Sequence, residues 1–162
     1  MTDMAEPDRD AARQMWHDYL ASQPAQFSGE ESLPDVDGFG DSRELADELI
    51  ALVLDGIKRA TAGLVADYEV AGEPLSGPGD HWVACDGAGV PRAVLRTTEV
   101  RVGRLDSVDD AFAYDEGEGD RSREAWLAGH RAFASRRGAA LGIATGDDSM
   151  MAFERFEVVW QA

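Results

Sequence analysis

The sequence of 162 residues is poor in cysteine and in long apolar runs. Its single cysteine, Cys85, excludes an internal disulfide and a cysteine cluster that could hold zinc. We expect Cys85 to lie in an apolar strand, because a free cysteine usually behaves as a small hydrophobe. No segment reaches the roughly 18 apolar residues of a membrane span, and the N-terminus lacks the basic and then apolar pattern of a signal peptide. These absences predict a cytoplasmic protein that does not bind membranes.

Positive charge is also scarce. The chain has 32 acidic and 15 basic residues, a formal net charge of −17. Broad binding of duplex DNA draws its affinity from many cations that neutralise phosphates, so this class of partner is excluded. The acidity is uneven, with a net charge of −11 in residues 1–55 and −6 in residues 56–162. A local basic groove is still conceivable where four arginines lie within thirteen residues, although a solvated strand face explains them equally well. They are Arg92, Arg96, Arg101 and Arg104.

Lysine is the scarcest of the basic residues, since 14 of the 15 are arginine and only Lys58 is lysine. A guanidinium keeps its proton near neutral pH and cannot serve as a general base or an amine nucleophile, whereas a lysine amine can. Lys58 is therefore a candidate catalytic residue. The alternative is that an arginine-rich composition has left one lysine by chance.

Hydrophobic periodicity predicts an α+β domain with an antiparallel, partly closed sheet. The predicted helices cover residues 8–20, 42–55, 63–69, 108–113 and 122–137, and the predicted strands cover 82–86, 93–102 and 153–160. Residues 22–40 show no periodicity and are predicted to form an irregular loop. We expect one globular unit, in which residues 1–40 pack on a domain of residues 41–162. The oligomeric state stays open.

The strongest helix prediction, residues 42–55, also places Lys58. Ser42 is a typical N-terminal cap, and Gly56 supplies the left-handed conformation that ends many helices. Lys58 therefore emerges just beyond a helix C-terminus. Gly138 is predicted to end the later helix over residues 122–137 in the same way.

Several segments in a fixed order resemble the ASCH family, the small PUA-like β-barrel domains linked to RNA, and especially its longer bacterial branch. The matching segments are 46–62, 68–69, 72–75, 79–80, 96–100, 116–120, Trp126, His130 and 154–159. The likeness extends from about Trp16 to the end of the chain. It implies a PUA-like, partly closed antiparallel β-barrel flanked by α-helices.

The resemblance also implies chemistry on RNA or its pieces. One type of member cleaves single-stranded RNA, and a shorter type hydrolyses the acetamide of N4-acetylcytidine with a lysine, a threonine and a glutamate. The matching positions in this chain are Lys58, Thr61 and Glu116. The chain departs from the shorter type at Arg59, where that type has threonine, and in a longer loop over residues 63–80. These departures bear on the substrate more than on the fold.

Amide hydrolysis suits these three residue types. A lysine amine could take the proton from the Thr61 hydroxyl, and Glu116 could transfer a proton to or from the leaving amine. No cofactor is expected for this reaction. The alternative is structural: Thr61 would cap the following short helix, and Glu116 would form a surface ion pair.

Cleavage of single-stranded RNA would need cations for the phosphorane and either an activated 2′-hydroxyl or a metal-bound water. The cationic candidates are Lys58, Arg59 and Arg96, and the candidates for contact with substrate are Tyr68, Ser122 and Trp126. Tyr68 and Trp126 could stack on an unpaired base, although helical spacing also fits Trp126 to a core. Glu118 and Asp120 are weak candidates for Mg²⁺ or Mn²⁺. We expect a protein that binds single-stranded RNA or a modified nucleoside and acts as a ribonuclease-like hydrolase. The alternatives are an amidohydrolase that deacylates N4-acetylcytidine and a regulatory RNA-binding module without catalysis.

Overall fold

The computed structural model describes residues 4–23 and 32–162. The helices are α1 (Arg9–Ser22), α2 (Arg43–Leu54), α3 (Val65–Ala71), α4 (Asp110–Glu116) and α5 (Arg123–Leu141), with a 3₁₀ turn at Leu105–Ser107. The strands are β1 (Asp35–Gly38), β2 (Ala60–Leu64), β3 (His81–Cys85), β4 (Pro91–Arg104) and β5 (Met150–Gln161). The predicted α+β class is confirmed.

The strands form one sheet in the order β1-β3-β4-β5-β2. β3 pairs with β4 and β2 with β5 in antiparallel fashion, whereas β1 and β3 are parallel. The sheet is therefore mixed, with one parallel pair beside the predicted antiparallel pairing. A parallel neighbour needs a long crossover connection, and the chain between β1 and β3 includes α2 and α3.

Predicted helix termini are confirmed where a cap has a clear chemical signature. The Ser42 hydroxyl accepts the backbone N–H of Leu45 at 3.2 Å at the start of α2, and Gly56 has a φ of 77° just after its end. The prediction that Gly138 ends α5 is wrong, because that helix continues to Leu141 and its cap is Gly142. A Cβ on Gly138 would lie 2.5 Å from Thr145 Cγ2, so a glycine at this position of the helix permits Thr145 to pack closely against it.

Two strands were not predicted. β1 lies within the segment predicted as an irregular loop, of which residues 24–31 are outside the described residues. β2 immediately precedes α3 and contains Thr61, so the alternative in which Thr61 caps that helix is wrong. The residue before α3 is Leu64, which makes no capping hydrogen bond through its side chain.

The chain divides into two compact units. One comprises Gly79–Arg96, Glu157–Ala162 and the described part of Met1–Gly56. In it the apolar face of α1, including Trp16, packs with β3 residues such as Val83 and Cys85. Cys85 is buried in a strand, as predicted, and burial raises the pKa of its thiol to about 12.

The other unit comprises Ile57–Pro78 and Thr97–Phe156 and carries most of the predicted site residues. Its core joins α4 and α5 to the strands β2 and β5. Phe112 of α4 contacts Trp126 of α5 and Phe153 of β5 with edge-to-face rings, an arrangement that aromatic pairs favour. Within the described ranges no helix has the length and apolarity that crossing a membrane would require.

Candidate functional site

Lys58 lies in the short connection between α2 and β2, and its side chain is 1% exposed. Its ammonium donates to the carbonyl oxygen of Ala60 at 2.9 Å and to that of Glu116 at 3.3 Å. The Ala60 carbonyl belongs to the peptide that links Ala60 to Thr61. The contact therefore holds the ammonium beside the backbone of the predicted nucleophile.

Two carboxylates face the same ammonium. Lys58 Nζ lies 3.2 Å from Glu116 Oε1 and 2.9 Å from Glu118 Oε2. The Glu116 side chain is 1% exposed, whereas that of Glu118 is 36% exposed. The Lys58–Glu116 contact is therefore shielded from solvent, whereas solvent partly screens the contact between Lys58 and Glu118.

Glu116 connects Lys58 to a stacked aromatic pair on α5. Its Oε2 accepts a hydrogen bond from the indole N–H of Trp126 and lies 3.1 Å from His130 Nε2. His130 Nδ1 lies 3.0 Å from the carbonyl oxygen of Trp126, and the two rings stack with centroids 3.8 Å apart. Both ring nitrogens of His130 therefore face acceptors, which only the doubly protonated imidazole can satisfy.

Electrostatic interactions favour alternating charges along the buried row of Lys58, Glu116 and His130. Burial on its own would raise the pKa of Glu116, but the charges of Lys58 and His130 and hydrogen bonds from His130 and Trp126 outweigh it and lower that pKa. Burial on its own would lower the pKa of His130, but the charge and hydrogen bond of Glu116 outweigh it and raise that pKa. These shifts favour the ionised form of Glu116 and the protonated form of His130.

The loop after α4 contacts the backbone of Ile57, the residue that precedes Lys58. Gly117 has a φ of 73°, and a Cβ there would lie 2.7 Å from the carbonyl oxygen of Ile57. Arg121, a non-glycine residue with a φ of 64°, donates to the carbonyl oxygens of Tyr114 at 2.8 Å and Ile57 at 3.3 Å. Its guanidinium also lies 3.6 Å from the centroid of the Tyr114 ring. These contacts hold Glu118 close to Lys58.

Thr61 lies on the side of β2 that faces away from the core. Ala60, Ala62 and Leu64 pack into the core cluster, so strand alternation turns Thr61 and Gly63 to the opposite face. A Cβ on Gly63 would lie 3.7 Å from the Tyr68 ring, which puts Tyr68 on this same face. Within the described part of the chain, the Thr61 hydroxyl makes no hydrogen bond.

A buried carboxylate of β5 lies directly across from Thr61. In the register of the β2 and β5 pair Thr61 is opposite Glu154. Glu154 is 8% exposed, and its Oε1 accepts a hydrogen bond of 2.5 Å from the hydroxyl of Thr97, which is fully buried on β4. Thr61, Glu154 and Thr97 therefore form a polar group on one face of the sheet.

The other predicted residues have separate surroundings. Arg59 donates to Asp115 at 2.7 Å, and Asp115 also accepts from Arg155. Trp126 is 6% exposed within the core, and Ser122 caps α5 by accepting the N–H of Ala125 at 3.1 Å. Arg96 belongs to the unit that contains α1 and pairs there with Glu157.

The candidate metal ligands are engaged by protein groups. Glu118 contacts Lys58, and Asp120 accepts the backbone N–H of Ser122 at 2.9 Å. Over residues 4–23 and 32–162, no group of three or more histidine, cysteine or acidic side chains has the arrangement of a metal site.

Sequence reasoning missed three residues of this region. His130 had a signal in its spacing of four from Trp126 on one helix, which allows the two rings to stack. Glu154 and Thr97 had only a weak signal, a polar residue within an otherwise apolar strand. Their proximity to Thr61 depends on strand register, which the sequence alone does not specify.

Fold and site together define an α+β domain with a buried lysine and glutamate pair at the start of an edge strand. The chain belongs to the ASCH domain family, whose model matches residues 35–160. It is similar to an ASCH domain from Lactobacillus crispatus JV V101, with 29% identity and a TM-score of 0.84 over 94% of this chain and 96% of that one. The resemblance read from the sequence and the PUA-like fold are thereby confirmed.

Two further solved structures are similar. Protein EF3133 from Enterococcus faecalis V583 has 28% identity and a TM-score of 0.83, over 92% of this chain and 88% of that one. Hypothetical protein PH0355 has 15% identity and a TM-score of 0.50, over 78% of this chain and 99% of that one, and this likeness concerns the fold alone. No curated protein matches the chain.

Proposed function

We propose that this ASCH domain is a cytoplasmic hydrolase that binds a modified nucleoside and cleaves an amide on its base, as in N4-acetylcytidine. One observation carries the proposal: the buried ammonium of Lys58 contacts Glu116 at 3.2 Å and the Ala60 carbonyl, next to Thr61, at 2.9 Å. An ammonium, a hydroxyl and carboxylates in one small region suit acyl transfer from an amide.

The contacts support a particular division of roles. Lys58 donates to two carboxylates, so it is suited neither to removing a proton nor to binding a further anion; its role is to hold the Ala60 carbonyl and the two carboxylates together beside Thr61. Glu116 keeps that ammonium in place. Thr61 is the nucleophile that receives the acyl group, and Tyr68, on the same face of β2, is positioned to contact the base.

The local charge favours a neutral substrate over an RNA chain. A phosphodiester needs cations whose charge is not already balanced, but Lys58 faces two carboxylates and Arg59 faces Asp115. The charge of −17 adds a general repulsion of phosphates. We therefore expect little cleavage of single-stranded RNA, and this competing activity is to be measured in parallel.

The test is an incubation of the protein with N4-acetylcytidine and, separately, with a single-stranded RNA oligonucleotide, with and without EDTA, followed by chromatography of the products. We expect deacetylation that EDTA does not inhibit. Thr61→Val removes the nucleophile and Lys58→Met removes the cation that holds the surrounding groups in place, so each should lower kcat/KM by about 100-fold or more. Circular dichroism would verify that both variants are folded.

Arg131→Met is the matched control for Lys58→Met, because Arg131 is a half-exposed cation of the same unit that pairs with Asp147. Its kcat/KM should equal that of the wild type. Metal-dependent cleavage of the oligonucleotide without deacetylation would replace the proposal with a ribonuclease. The absence of turnover with both substrates would leave a binding module.

A further inference from the structure

We infer that Glu154 is a catalytic residue, the general base that takes the proton of the Thr61 hydroxyl when the hydroxyl attacks the amide. The inference rests on the proposed function. A Lys58 ammonium held by two carboxylates is a poor acceptor for the Thr61 proton. Another base must then lie within reach of Thr61.

Strand register places Glu154 where such a base is needed. Thr61 and Glu154 are directly opposite each other in the antiparallel β2 and β5 pair. Directly opposed residues project from the same face of a sheet with Cβ atoms about 4.5 to 5.5 Å apart. Glu116 is not the register partner of Thr61, and its oxygens are held by Lys58, Trp126 and His130. Glu154 is thus the better situated carboxylate.

Burial makes Glu154 unusual for a strand residue. A carboxylate that is 8% exposed on a face shared with Thr97 carries a desolvation penalty that an apolar residue would avoid. The Thr97 hydroxyl, itself fully buried, donates to Oε1 at 2.5 Å and so fixes the orientation of the carboxylate. A fixed and mostly dehydrated carboxylate beside a half-buried hydroxyl is the arrangement that general base catalysis requires.

The proton and the electrons balance in the following sequence. Glu154 accepts the hydroxyl proton as Thr61 Oγ1 forms a bond to the amide carbon, and the electrons of the carbonyl double bond move to the amide oxygen. When the C–N bond breaks, the Glu154 proton goes to the departing amine, and the acyl group remains on Thr61. Water then attacks this ester and gives a proton to Glu154. Glu154 returns that proton to Thr61 Oγ1 as the acid leaves.

Glu154→Gln tests the role, since glutamine keeps the shape and the hydrogen bond from Thr97 but cannot accept the proton. We expect kcat for N4-acetylcytidine to fall by about 100-fold or more while KM changes little. Glu154→Asp, which keeps the carboxylate, should retain measurably more activity than Glu154→Gln. Equal kcat values in Glu154→Gln and the wild type would overturn the inference.

Thr97→Val is the matched control, because it removes the hydrogen bond to Glu154 and leaves the carboxylate. A hydrogen bond to the ionised form favours ionisation, so its loss should move the acid limb of kcat/KM to higher pH. A merely structural role of Glu154 would leave that limb in place, and this result would overturn the inference even if Glu154→Gln failed to fold. A wild type without deacetylase activity would instead refute the proposed function itself.

Discussion

At the scale of single residues, His130 offers a test of the buried charge row through pH. The raised pKa of His130, caused by Glu116 against the effect of burial, means that its contribution to stability is complete below about pH 6.5, the ordinary histidine value. As the pH rises through the raised folded value, the proton leaves and the contribution disappears. Because the pKa of Glu116 is lowered, that carboxylate stays ionised throughout this range.

His130→Gln should therefore be less stable than the wild type by about 1 to 3 kcal/mol at mildly acid pH, and the difference should shrink at alkaline pH. Glutamine can still donate to Glu116 but cannot carry the charge. Urea unfolding at several pH values would measure both free energies. His17→Gln, at an exposed position on α1, is the control and should show no such trend. A difference independent of pH would mean that His130 is not charged in the folded protein.

The residues of the site differ in how far the sequence could reveal them. Lys58 is evident because it is the only lysine, and Glu116 follows from the family resemblance. His130 falls four residues after Trp126 within a predicted helix, but its contact with Glu116 joins two helices and depends on tertiary packing. Glu154 is harder still, since its relation to Thr61 requires the pairing of β2 with β5, two strands that are far apart in the sequence. The sequence therefore indicated which residues could carry chemistry, but not which of them lie together in the folded protein.

At the scale of elements, α2 and α5 show which features a pattern can predict. α2 combines a wide apolar stripe with a side-chain cap and a glycine just beyond its end, and all three agree. β2 has Thr61 as its only β-branched residue, so its strand state comes from pairing with β5 rather than from propensity. Gly138 was predicted to end α5, but it lies within that helix, where the absence of a side chain allows Thr145 to pack closely.

Gly117 and Gly142 provide a prediction at this same scale, because both follow a helix with nearly equal φ values, 73° and 71°. Gly142 has open space around a new Cβ, so Gly142→Ala should cost only the backbone strain of about 1 kcal/mol. Gly117→Ala adds a clash with the Ile57 carbonyl and should cost about 2 to 4 kcal/mol. Thermal and urea unfolding would measure the two.

Gly117→Ala should also lower deacetylation, since Ile57 precedes Lys58 and would have to move. Gly142→Ala should leave the activity unchanged and so controls for strain alone. Equal losses of stability in the two variants would show that the Ile57 backbone yields readily to the added methyl group.

At the scale of the whole molecule, two electrostatic effects oppose each other. Ion pairs such as Arg131 with Asp147 are half exposed and weaken with salt. The net charge of −17 produces repulsion across the chain that salt relieves. Because exposed pairs contribute at most about 1 kcal/mol each and the charge imbalance is large, relief of repulsion should dominate. The buried Lys58 and Glu116 pair is little affected either way.

We therefore expect the urea midpoint to rise as sodium chloride is raised from low to physiological ionic strength, over which the Debye length shortens from about 30 to about 8 Å. The double variant Glu48→Lys and Glu73→Lys, at two exposed positions, reduces the negative charge and should show a smaller rise. A midpoint that falls with salt would mean that the surface ion pairs outweigh the repulsion. A rise of the same size in both proteins would point to salting-out of apolar surface instead, since that effect is independent of net charge.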